Sequence, residues 1–179
     1  KNNTIMRSGT DLKGAVFLRF GDHTLNSTAL VYQLFEYIKN SMGEDFPWTR
    51  HAKRLVPISR CAFASPEEAA VLAKQVLPHW FPPSPNATGP NATAEVTPTT
   101  FSIVFNRRSN NGASRNEYIS AVASAVSELG HVKVNLTHPD VVVFVEVFKS
   151  SCGIGAVRGQ AYKDLFAFSM EIAKRDLNC

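Results

Sequence analysis

The stretch Val141-Val142-Val143-Phe144-Val145-Glu146-Val147-Phe148 limits the fold more than any other part of the chain. Every residue except Glu146 is apolar, and Val and Phe are strand formers. Such a strand has no polar face to offer water, so both faces have to be covered, which places it in mid-sheet with other layers on either side. It is far shorter than the ~20 apolar residues a helix needs to cross a bilayer. A chain of 179 residues with 44% hydrophobic content has the material to bury such a strand, as one domain or as two small ones sharing an interface.

The flanking patterns supply the other layers. Asn3 to Arg7 and Gly14 to Phe20 read as a hairpin about Ser8-Gly9-Thr10-Asp11, ended by Gly21-Asp22. Asn26 or Ser27 then caps a helix with Leu30, Val31, Leu34, Phe35 and Ile38 on one stripe. Lys53 to Ala62 reads as a strand. Ser65-Pro66-Glu67-Glu68 is a capping box opening a second helix, whose stripe is Ala69, Leu72, Ala73, Val76, Leu77 and Trp80 and which Pro78 should bend or stop. Pro82 to Thr100 holds half of the prolines and almost no charge, so it reads as a mobile insertion. Beyond it come a strand at Phe101 to Phe105, a second capping box at Ser114-Arg115-Asn116-Glu117, and a helix on Ile119, Val122, Ala123, Val126 and Leu129 that Gly130 ends. Lys133 to Leu136 is a short strand, His138-Pro139-Asp140 a turn, and Gln160 to Leu177 has the spacing of one helix.

Net charge is +4, and its placement matters more than its size. Phe46 to Pro66 contains Arg50, Lys53, Arg54 and Arg60 and no acid; Val96 to Asn116 contains Arg107, Arg108 and Arg115 and no acid. Two acid-free basic windows fit a polyanion surface, most naturally nucleic acid, with a solvated face on a mildly basic protein as the equal alternative. Within the second window, Asn106 to Arg115 puts the strand-end guanidinium groups of Arg107 and Arg108, amide side chains and a helix N-terminus in one place, a combination suited to phosphate, ribose and base edges. A polar turn with solvated arginines is the competing reading.

Signals for catalysis are lacking. The sequence has no P-loop, GxSxG, CxxC or HExxH, and His23, His51, His79, His131 and His138 are scattered, which implies no metal site. Gly153-Ile154-Gly155-Ala156-Val157-Arg158-Gly159 misses the dinucleotide fingerprint by one position, so its glycines read as strand and bend residues. Glu146 needs a partner for its carboxylate, with Lys133, Arg107 or the sheet edge as candidates. Cys61, Cys152 and Cys179 suit reduced intracellular thiols. Against that stand five glycosylation sequons, at Asn2, Asn26, Asn86, Asn91 and Asn135, which read as coincidence in a chain rich in Asn and Thr.

The segments Phe101 to Asn111, the helix from Arg115, Lys133-Val134-Asn135-Leu136-Thr137-His138-Pro139-Asp140 and Val143-Phe144-Val145-Glu146-Val147 together resemble the THUMP domain, which runs strand, Arg/Asn turn, helix, VDLxNPD-type turn and VxVEV strand. Leu55-Val56-Pro57-Ile58-Ser59 and Leu77-Pro78-His79-Trp80-Phe81 resemble its eukaryotic stand-alone branch, the tRNA acetylation adaptors. The resemblance implies an α+β fold: a ferredoxin-like N-terminal subdomain over 1–52, a THUMP domain with a mixed sheet and helices over 53–160 carrying the insertion at 82–100, and a C-terminal helix over 161–179. It implies a non-catalytic protein without cofactor or metal that binds tRNA by its acceptor stem and 3′ end. That tRNA would be presented to an RNA cytidine acetyltransferase forming N4-acetylcytidine in the D-arm of serine and leucine tRNAs. The implied location is intracellular, in the nucleus or nucleolus or else the cytoplasm, away from membranes. Arg107, Arg108, Asn110, Asn111 and Arg115 fall on the family's polar turn and helix start; Lys53, Arg54, Arg60, Lys149 and Arg158 are further RNA-binding candidates. Two departures are visible: no Gly-Leu-Pro loop follows the last strand, which favours the stand-alone adaptor, and Tyr162 to Phe168 lacks the Lys-Tyr-Asn of many relatives. The rival readings are the RNA-binding piece of a THUMP-containing methyltransferase or thiouridine synthetase, and a secreted glycosylated binding module.

Overall fold

A computed structural model of the chain describes residues 5–8, 16–20, 25–41, 48, 51–81 and 98–177. In chain order its elements are β1 (Ile5–Ser8), β2 (Phe17–Phe20), α1 (Ser27–Asn40), β3 (Arg60–Phe63), α2 (Pro66–Val76), β4 (Thr99–Arg108), α3 (Arg115–Ser127) and β5 (Val132–Val134), followed by β6 (Val141–Phe148), β7 (Ser151–Arg158), α4 (Gly159–Asp164) and α5 (Met170–Asp176). β6 is the middle strand of a mixed five-stranded sheet of order β3-β7-β6-β4-β5. It runs parallel to β4 and antiparallel to β7; β5 is parallel to β4, and β3 is antiparallel to β7. The apolar run is therefore covered on both faces, as its composition requires.

Alternate residues of β6 build two cores. Val141, Val143, Val145 and Val147 face α2 and α3, packing with Leu72, Val76, Tyr118, Val122 and Val126. Val142 and Phe144 face the opposite way, toward Val31, Phe35 and Ile38 of α1 and Leu165, Phe168 and Met170 of the C-terminal region. The fold is thus α+β with layers on both sides of one mixed sheet. β1 and β2 pair antiparallel as a separate two-stranded hairpin. These strands and α1 are what the described residues give of the expected N-terminal subdomain. Residues 82–97, most of the expected insertion, lie outside the described residues, as do the sequon asparagines Asn2, Asn86 and Asn91.

Local signals hold in most places. Asn26 caps α1, its Oδ1 accepting from Thr28 N and Ala29 N, and Ser65 caps α2, its Oγ accepting from Glu68 N at 3.1 Å. Asp140 fixes the start of β6 against β4: its carboxylate accepts from Thr100 N at 2.8 Å and Thr100 Oγ1 at 2.7 Å. Those bonds hold its pKa below the ordinary aspartate value.

Four expectations are corrected. The strand expected over Lys53 to Ala62 is confined to Arg60–Phe63. Its first half instead meets the C-terminal turn, with Leu55 N donating to Phe168 O at 3.1 Å, Met170 N donating to Lys53 O at 2.9 Å, and Arg54 bridging Ser169. The strand expected to end at Phe105 runs on to Arg108, because β4 stays in register with β6 from Phe101↔Val141 to Arg108↔Phe148. Ser114 sits at the N-cap of α3 but makes no side-chain bond there, so the second capping box does not form. The single tail helix is broken into α4 and α5 by Phe166, Ala167 and Phe168, all left-handed with φ of 56°, 51° and 53°. Such backbone is costly for residues with a Cβ and persists where packing imposes it. Here the Phe168 ring lies among those of Tyr32, Phe35 and Tyr162, at centroid distances of 5.7, 5.5 and 5.4 Å.

Candidate nucleic-acid interface

Two turns meet at the C-terminal ends of β4 and β6. Register pairs Arg108 with Phe148, so the residues leaving β4 lie beside the tight turn that starts at Lys149. Lys149 N donates to Arg108 O at 3.1 Å. Asn110 ties the turns together: its Nδ2 donates to Lys149 O at 2.6 Å and its Oδ1 accepts from Ala113 N at 2.8 Å. Ser109 and Lys149 each turn the chain in the left-handed region, with φ of 50° and 49°. Asn110 is thus fixed as the strut of the site, while Asn111 and Arg115, the first residue of α3, stand exposed beside it.

Arg107 and Arg108 leave β4 toward opposite faces, as strand alternation requires. Arg107 is on the helix side, its Nη1 donating to Ala113 O at 2.7 Å. Arg108 shares the other face with Asn106 and Glu146, whose side chains bond at 2.6 Å. Burial pushes the Glu146 carboxyl above its ordinary pKa, against the opposing pull of the Asn106 bond and of the charges on Arg108 and Arg54. The partner expected for Glu146, Lys133 or Arg107, is therefore replaced by Asn106: Arg107 points away, and Lys133 is paired with Thr100 on edge strand β5.

Arg107, Arg108, Asn110, Asn111, Arg115 and Lys149 lie at one end of the sheet, with Arg107 and Arg108 on its opposite faces, and among the described residues none of the four cations forms an ion pair. Arg54 approaches from the segment before β3 through its influence on Glu146. The remaining candidates lie elsewhere. Lys53 is paired with Glu171 at 2.8 Å, and that bond raises its pKa. Arg60 reaches Gln75 of α2 at 3.4 Å. Arg158 is at the other end of the sheet, over Trp80.

Among the described residues no group of three or more His, Cys, Asp and Glu could hold a metal ion, and no helix is long and apolar enough to cross a membrane. Cys61 and Cys152 are free thiols, and burial raises the pKa of both. Gly153 and Gly155 lie inside β7, as strand residues, and Gly159 opens α4. The Asn135 amide is used in a turn at both ends, Nδ2 donating to His138 O and Oδ1 accepting from Thr137 N and His138 N. Sequence reasoning missed Asn106 as the partner of Glu146, although its place opposite Glu146 follows once β4 is extended to Arg108.

The family model described as the THUMP domain matches residues 63–157, from the end of β3 to the penultimate residue of β7. The chain belongs to the THUMP domain family. Over 111 residues it is 33% identical to THUMP domain-containing protein 1 of Mus musculus and 33% identical to the protein of that name from Homo sapiens, covering 62% of this chain and 28% of each relative. The chain thus spans little more than a quarter of the length of these curated relatives. It is also similar to the solution structure of the THUMP domain of THUMP domain-containing protein 1, at 32% identity over 51% of this chain and 83% of that one, with a TM-score of 0.40. The THUMP match takes in the whole Arg107 cluster and leaves Arg158 one residue outside.

Proposed function

We propose that this THUMP protein is a non-catalytic tRNA-binding adaptor that holds tRNA by its acceptor stem and 3′ end and presents it to an RNA cytidine acetyltransferase, for N4-acetylcytidine formation in the D-arm of serine and leucine tRNAs. The observation that carries the reading is the collection of Arg107, Arg108, Arg115 and Lys149 at one end of the sheet, without an ion pair among the described residues and around a turn pinned by Asn110. Unpaired guanidinium groups bind phosphates bidentately, and each phosphate neutralised releases counterions, so affinity is salt-dependent. Shape and an unpaired end supply selectivity. The same reading divides the chain into an N-terminal subdomain over 1–52, the THUMP unit over 53–160 and a C-terminal region over 161–179, and places it inside the cell, in the nucleus, nucleolus or cytoplasm.

The test is reconstitution. Serine tRNA transcript is incubated with an RNA cytidine acetyltransferase and acetyl donor, with and without the chain, and N4-acetylcytidine is measured by mass spectrometry. Acetylation that rises with the chain, and falls back with Arg107→Ala/Arg108→Ala, is expected. Acetylation unchanged by the chain, with tRNA affinity unaffected by the double substitution, would overturn the reading.

A further inference from the structure

The turn between β6 and β7 returns Arg158 to the end of the sheet opposite the Arg107 cluster. Its register partner is Val141, the first residue of β6, whereas Arg108 is paired with Phe148, the last. The strand between those positions is roughly 24 Å long at ~3.4 Å per residue. At that far end the Arg158 guanidinium lies over the indole of Trp80, 5.5 Å from the ring centroid, and the His79 ring lies 5.1 Å from the Trp80 ring at 46°. Arg158 and His79 are exposed, and Trp80 is half-buried against the α2–α3 core. Arg158 makes no ion pair among the described residues. Asp140 is the carboxylate whose charge reaches it, and that carboxylate is already held by Thr100 N and Oγ1. The strand end itself is pinned, with Arg158 N donating to the Tyr32 hydroxyl at 3.0 Å.

A guanidinium resting on an indole loses orientational freedom while keeping a planar surface and a fork of N–H donors. Planar cations and aromatic rings in one patch are what unpaired bases stack on, whatever their sequence. A paired duplex has no open base face to offer. We propose that Arg158, Trp80 and His79 form a second RNA contact that takes an unpaired nucleotide, its base stacking on the Arg158–Trp80 pair and its phosphate meeting the guanidinium fork. This contact rests on the RNA-binding reading above.

The experiment uses the full chain, a short single-stranded oligoadenylate, a blunt RNA duplex and a tRNA. Tryptophan emission is recorded for the wild type and for Trp80→Phe, so that the difference reports Trp80. Oligoadenylate should quench the Trp80 emission saturably and the duplex should not. Arg158→Ala should weaken oligoadenylate binding about tenfold, the order of one lost stacking contact, and Arg158→Lys, which keeps the charge but not the plane, nearly as much. Emission indifferent to oligoadenylate, quenching by the duplex to the same degree, or wild-type binding by Arg158→Lys would each overturn the second contact. If tRNA still binds through Arg107 and Arg108 in that case, the adaptor reading survives; if neither RNA binds, both fall.

Discussion

Asn106 and Glu146 face each other across β4 and β6, with Asn106 Nδ2 donating to Glu146 Oε1 at 2.6 Å. The bond answers one oxygen of a carboxylate that the middle strand half-buries. Burial nevertheless dominates and raises the folded pKa above the ordinary 4.5. Between the two values the native state holds a proton that the unfolded chain lacks. This contribution to stability is therefore full below the ordinary value and lost as pH rises through the raised one. Glu146→Gln keeps an acceptor for Asn106 and never ionises. Its urea midpoint should match the wild type at acid pH and exceed it in mildly alkaline buffer. A wild type that gains on the variant as pH rises would mean that Arg54 and Arg108 outweigh burial.

Arg107 and Arg108 make no bond to a common partner, so their roles should separate. On tRNA each alanine substitution is expected to weaken binding and to flatten the plot of log affinity against log salt by about 0.9. The double variant should equal the sum of the singles within about 0.5 kcal/mol. Folding stability should distinguish them: Arg107→Ala loses the bond to Ala113 O and should cost about 1 kcal/mol, while Arg108→Ala should stay within about 0.5 kcal/mol of wild type. Binding isotherms over a salt series and urea titrations read both.

Much of the fold was legible because the decisive signals are local. The unbroken apolar run of β6 demands two covered faces, and Asn26 and Ser65 cap their helices from adjacent residues. The polar turn around Asn110 could be placed from composition. The division of labour inside it could not, since it depends on β4 reaching Arg108, a length set by pairing with β6. Strand alternation then separates Arg107 from Arg108, and the antiparallel return of β7 carries Arg158 away from both. The broken tail lies beyond local reading too, because Phe166, Ala167 and Phe168 have ordinary helical spacing and are bent by packing against Tyr32 and Phe35 of distant α1.

The serines at the two N-caps offer a controlled comparison. Ser65 Oγ accepts from Glu68 N, whereas Ser114 makes no side-chain cap bond. Ser65→Ala should lower stability by about 1 kcal/mol. Ser114→Ala should change it by less than about 0.5 kcal/mol. Equal losses in urea titration would mean that Ser114 closes onto α3 in solution, which would also remove the open helix start from the proposed RNA site.

Gly155 tests the layer on the α1 side of the sheet. Pro57 and Ile58 cross β7 so closely that a Cβ on Gly155 would run into the Pro57 carbonyl oxygen, with the Ile58 Cα behind it. Both are backbone atoms and cannot rotate aside, so the segment would have to lift, pulling Leu55, Val56 and Ile58 from the core they share with Phe144 and Phe168. Away from such a contact, replacing a strand glycine by alanine is favourable by roughly 0.5–1 kcal/mol, so the sign of the effect is diagnostic. Gly155→Ala should destabilise by about 1–3 kcal/mol and speed hydrogen exchange at the Leu55 and Met170 amides, which bond across this junction. At Gly153 the new Cβ would meet the Ile58 Cγ2 at 2.8 Å and the Cys61 Sγ at 3.3 Å, side-chain atoms rather than backbone, so Gly153→Ala should cost less than Gly155→Ala. A Gly155→Ala protein as stable as wild type, with unchanged exchange at Leu55, would show that the segment before β3 does not rest on the sheet and that Arg54 is not held near Glu146.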